Sequence, residues 1–133
     1  MKKGFFENIE VKTLENKNFR QVLYTGEHMQ LVLMTLQAGE EIGLEVHHDT
    51  DQFFRFESGE GKVKVNEVEY EVGDGDVVIV PAGAEHNVMN TGSDKPLTMY
   101  TIYTPPHHKD GTVHITKAEA EVDHEHFDGE TTE

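Results

Sequence analysis

The chain has 133 residues, a length that fits one domain built around one core. It carries 26 acidic against 11 basic residues, a formal charge of -15, and that field repels phosphate backbones and anionic membrane surfaces, so neither nucleic acid nor a membrane is an expected partner. No cysteine is present, which removes disulfides, thiolate metal sites and cysteine nucleophiles from consideration.

The first residues, MKKGFFENIEV, have a basic start, but Glu7, Asn8 and Glu10 interrupt any apolar core of secretory length. No stretch approaches the length of a membrane span, and a cytoplasmic protein is the expectation. Over 1–20, Phe5, Phe6, Ile9, Val11 and Leu14 read as one or two edge strands with a turn at 15–18, or as an arm handed to a partner. From residue 21 the pattern is β throughout. Short runs at 21–24 and 29–36 precede a turn at 37–41. Extended structure resumes at 42–47 and 52–57, with a strong turn at 58–61. The segments KVKVN and VEYEV alternate and form a hairpin. The run at 77–80 is fully apolar, 86–90 is extended, and 97–103 is the last long strand. Pro105 and Pro106 stop it.

These runs predict an all-β fold, an antiparallel double-sheet jelly roll closed into a barrel over 21–104. Residues 1–20 are an arm or edge strands, and 105–122 an irregular extension with a short C-terminal helix or none. Residues 123–133 read as a mobile acidic tail.

Four side chains from two separated segments are candidate metal ligands: Glu45, His47, Gln52 and His86. Glu45 and His47 stand two apart and share a strand face. Two imidazoles and one carboxylate suit a divalent transition ion such as Fe, Mn, Co, Ni, Cu or Zn, with the Gln52 carboxamide as a weaker neutral donor. The other reading places Glu45 and His47 in solvent on an acidic surface and makes His86 a hydrogen-bonded turn residue. His107, His108, His114, His124 and His126 crowd the C-terminal segment, where loose spacing argues against an ordered second site. No phosphate-binding glycine loop and no Gly-x-Ser-x-Gly elbow is present, so any catalysis here is metal-assisted.

Joined, the two segments resemble the paired motifs of the cupin superfamily. The first runs Gly39, EEIGL, Glu45-Val46-His47, HDTD, Gln52, FFRFES and Gly59. The second is matched at every defined position by Gly75, Pro81, Gly83, His86 and Asn90. The first departs from the family in two places: Glu45 stands where a histidine is usual, and Gln52 where glutamate is usual. His47 and His86 are therefore the ligands that the resemblance carries over. A register using His48 instead loses the Gly39 spacing and the Glu45 donor. The resemblance implies a jelly-roll barrel with an internal metal, acting on a small polar or enolisable substrate as an isomerase or dioxygenase. A non-catalytic small-molecule-binding or structural cupin is the alternative. Cupin-like proteins are frequently dimers, and the apolar segment 5–14 is available to cover an open sheet edge, so a homodimer is expected.

Overall fold

The alternating runs become strands, and in a computed structural model that describes residues 1–133 they form two antiparallel sheets. In chain order the elements are α1 (Ile9–Glu15), β1 (Arg20–Thr25), β2 (Gln30–Leu36), β3 (Glu45–Val46), β4 (Asp51–Ser58) and β5 (Glu60–Val65). Then follow β6 (Val68–Gly73), β7 (Val77–Val80), β8 (Glu85–Asn90), β9 (Leu97–Thr104), β10 (Val113–His114) and α2 (Lys117–Val122). One sheet has six strands in the order β10-β1-β2-β9-β4-β7; the other has four, in the order β3-β8-β5-β6.

Strand periodicity explains how the two sheets share a core. On β4, Gln52, Phe54 and Phe56 are buried while Phe53 and Arg55 are only partly so. Phe54, Phe56, Val32, Met34, Leu36, Leu97 and Met99 of the six-stranded sheet meet Val63, Val72 and Val88 of the other. Removing one such side chain from water contributes about 1.5–3 kcal/mol. Gly59, with φ +90, makes the sharp reversal between β4 and β5, and a Cβ there would run into the Pro96 carbonyl oxygen.

Three expectations are corrected. Residues 9–15 are helical rather than an edge strand. Asn8 caps α1 by accepting from the Val11 N–H at 3.0 Å, and the helix packs on β2, β4 and β9 with Thr13 fully buried. In the extension at 105–122 the short C-terminal helix is α2, capped by Thr116, and the remainder is irregular apart from the two-residue β10, which pairs with β1. The segment 123–133 is docked rather than loose. The Thr132 N–H donates to the Thr25 carbonyl at 2.9 Å, and Thr25 N–H returns a bond to Thr132 Oγ1 at 2.8 Å. The Glu133 carboxylate accepts from the Lys3 and Gly4 N–H groups and from Tyr24 Oη. An acidic composition signals solubility, but here particular oxygens find particular donors. The strand expected over 42–47 shrinks to β3, because Gly43 takes φ +109 and breaks the extended run.

Candidate metal centre

The two motif segments are pinned to one another before any side-chain chemistry enters. β3 pairs with β8, so Glu45 faces His86 in register. The turn at 81–84 is fastened by Gly83 N–H to the His47 carbonyl and by Ala82 N–H to Asp51 Oδ1, both 2.8 Å. Gly83 has φ +88, open to glycine at little cost. Asn90 fixes the far end of β8. Its Nδ2 donates to the Leu36 and Lys95 carbonyls, and its Oδ1 accepts from Gly92 N–H.

Within this frame the donor atoms of Glu45, His47 and His107 all lie within 4.8 Å of one another. His47 Nε2 is 3.6 Å from Glu45 Oε2, and the His47 and His107 rings are 4.3 Å apart between centroids. His47 is 8% exposed, and its Nε2 is buried without a hydrogen-bond partner. Leaving a polar nitrogen so costs about 1–3 kcal/mol, a penalty that a bound cation removes. The orphaned nitrogen and the mixed imidazole–carboxylate set fit a divalent transition ion. His48, by contrast, is exposed.

Of the other two expected ligands, His86 lies beside the trio but outside it, and Gln52 sits opposite Tyr103 on the six-stranded sheet. The His86 ring is 5.2 Å from that of His47, and its Nδ1 donates to the Ala84 carbonyl at 3.0 Å, which leaves the lone pair on Nε2. Gln52 donates through Nε2 to Thr101 Oγ1 at 3.0 Å, while its buried Oε1 has no partner.

His107 is the residue that sequence reasoning missed as a donor. It follows Pro105 and Pro106 in what reads as a loop, and its neighbour His108 was the one available hint. A fully buried amide, Gln30, sets its position. Gln30 Oε1 accepts from the N–H groups of His107 and His108 at 3.1 and 2.9 Å, and its Nε2 donates to the His108 carbonyl at 2.8 Å. The tail adds a second fastening: Phe127 N–H donates to the His107 carbonyl at 2.9 Å, and the Glu125 carboxylate takes Lys109 N–H at 2.8 Å and His108 Nδ1–H at 2.6 Å.

Burial governs the charge states. It pushes His47 down to about 3, helped by His107 and His86. Burial likewise lowers His107, and it brings His108 to about 4 against the pull of Glu125. For Glu125, burial acts upward, but the His108 bond and the Lys109 N–H outweigh it and hold the carboxyl at about 2. Burial raises Glu45, with Arg20 and His86 opposing. His47 and His107 are thus neutral near pH 7, the form in which imidazole binds metal. Tyr103, 3% exposed, packs edge-on against His47 and bonds His108 Nε2 at 3.2 Å. A cavity of about 400 Å³ reaches Glu45 from solvent, bordered by Arg20, His108 and Lys117.

The profile of the cupin domain matches residues 32–103. The Bacillus subtilis (strain 168) protein YrkC, itself uncharacterised, is 48% identical over 124 residues, covering 89% of this chain. The chain spans 66% of YrkC, just under two thirds of its length. The uncharacterised protein L612 of Acanthamoeba polyphaga mimivirus is 34% identical over 116 residues, 85% of this chain and 72% of that protein. Among solved structures, BH2720 from Bacillus halodurans superposes with a TM-score of 0.88 at 46% identity, covering 91% of this chain and 96% of the other.

Proposed function

Because this chain belongs to the cupin family, we propose that it holds one divalent transition metal inside a jelly-roll barrel formed by its two sheets and acts on a small polar or enolisable molecule, as an isomerase or an oxygenase. The observation that carries this reading is the convergence of Glu45, His47 and His107 on one point, with His47 Nε2 buried and unpartnered. These three residues would hold the ion, with His86 Nε2 beside them and the unpartnered Gln52 Oε1 as the further candidate donor. Such an ion supplies Lewis acidity, or oxygen chemistry if it is Fe(II).

The chain's own residues divide the remaining work. Glu45 borders the cavity, so an occupant would meet its carboxylate beside the ion. Tyr103 Oη donates to His108 Nε2, whose Nδ1–H is given to Glu125, so the phenol is held in one orientation beside His47. Phe54 packs against His86 and Tyr103 against His47, and both rings are buried. One observation favours a non-catalytic reading. Gln52 cannot transfer a proton where the family has glutamate, and its amide is already tied to Thr101. A homodimer belongs to the same proposal, supported by the apolar residues Val77 and Ile79, exposed on edge strand β7.

Metal analysis of tag-free protein tests the site. Near-stoichiometric metal is expected, falling sharply in both Glu45→Ala and His107→Ala. Wild-type protein that binds none of Fe, Mn, Co, Ni, Cu or Zn would remove the reading. With metal bound, turnover of enolisable or aromatic substrates above metal-free controls separates enzyme from binding protein.

A further inference from the structure

Arg20 opens β1 and is 8% exposed, yet no carboxylate lies within 4.0 Å of its guanidinium. Its one side-chain hydrogen bond runs from Nη1 to His114 Nδ1 at 3.2 Å. Since His114 Nδ1 accepts, its Nε2–H is the donor to Asp123 Oδ2 at 2.9 Å, and the ring is oriented from behind. The Phe19 ring lies 5.2 Å from Arg20 Cζ, while Arg20 Nε is buried without a partner. A buried guanidinium whose N–H groups are only partly hydrogen-bonded and which makes no direct ion pair is expensive, and an anion placed against it would remove that cost.

The cavity that reaches Glu45 is also lined by Arg20, so an occupant would touch both. The other charges of the lining are already committed. Glu121 pairs with Lys117 at 3.8 Å, Asp123 with His114, and Glu125 with His108 and Lys109 N–H. Arg20 acts at longer range on Glu45 and Glu125 but makes no direct ion pair with any carboxylate of the lining. Its positive charge also disfavours protonation of His47, His107 and His108, which places it within electrostatic reach of the centre.

We propose that this cavity takes a small organic acid whose carboxylate is anchored by Arg20 and whose remaining oxygen faces Glu45 and the donor trio. The planar guanidinium fork matches a carboxylate. A monoanion is selected over a phosphate dianion because four carboxylates, Glu45, Glu121, Asp123 and Glu125, line the same space. The assignment names the substrate class of the proposed metal centre and rests on that reading, although the Arg20 contact is testable without metal.

The test follows the Arg20 Nε–H signal in nitrogen–proton correlation spectra of the full chain, metal-free and Zn(II)-loaded, titrated with pyruvate, with neutral pyruvamide and with inorganic phosphate. Pyruvate is expected to move that signal saturably in both forms and to bind about 10- to 100-fold more tightly than pyruvamide. Arg20→Met should remove the preference, and Arg20→Lys should retain part of it. If Arg20→Met does not fold, the comparison of the three probes on the wild-type chain decides. Equal binding of pyruvate and pyruvamide, tighter binding of phosphate, or an unmoved Arg20 signal would each overturn the proposal. Zn(II) retained at one equivalent with no Arg20 response sinks the anion site alone. An Arg20 response without Zn(II) uptake sinks the metal reading alone.

Discussion

Acidification of the metal-free protein should destabilise it through His47. Burial holds the folded pKa of His47 at about 3, below its ordinary value of 6.5. Between those values the unfolded chain binds a proton that the folded chain refuses, so this contribution is fully present above 6.5 and declines as pH falls toward 3. A full difference of one proton corresponds to about 1.4 kcal/mol per pH unit. Averaged from pH 6 to 5, where the unfolded imidazole is mostly protonated, His47 alone accounts for about 1.2 kcal/mol. Its 8% exposure leaves little solvent to screen this effect. His108, at about 4, acts in the same direction, whereas Glu45, raised by burial, acts in the opposite one. His47→Gln isolates the imidazole. Urea denaturation in chelator, followed by circular dichroism at pH 6 and pH 5, should give a wild-type loss exceeding that of the variant by about 1.2 kcal/mol. Equal losses in the two proteins would refute the claim that His47 is held neutral by burial.

Cutting the Glu125 fastening with Glu125→Ala should weaken metal binding by about 10- to 100-fold while leaving the far-ultraviolet spectrum intact, because it removes both acceptors that hold the His108 side chain and the Lys109 N–H next to His107; unchanged affinity by competition with a chromogenic chelator would dissociate the tail from the site. Asn90→Ala strands the buried Leu36 carbonyl and removes the partners of the Lys95 carbonyl and the Gly92 N–H, and should cost about 1–3 kcal/mol in chemical denaturation. A loss under about 1 kcal/mol would show that water replaces those bonds.

Legibility followed the range of the interactions involved. The strands were readable because alternation is local: Phe54 and Phe56 share the parity of Gln52, and all three are buried. His47 could be preferred over His48 by the same parity with Glu45. The turn at 81–84 was readable because Pro81, Gly83 and His86 encode it over a few residues. His107 was not, since its position depends on Gln30, 77 residues away. The docked tail escaped for the same reason, its bonds to Tyr24 and Thr25 spanning 109 and 107 residues. The α1 helix was missed because its apolar spacing is ambiguous and the buried position is a threonine, Thr13, not one of the hydrophobic residues.

The most direct measurement is an anomalous-difference map from crystals of metal-loaded protein, collected on both sides of the absorption edge of the bound element. One peak is expected between the sheets, with Glu45 oxygen, His47 nitrogen and His107 nitrogen at about 2.0–2.2 Å if the ion is zinc. A peak held by other residues, or His107 turned away from an ion bound by the rest, would contradict the account.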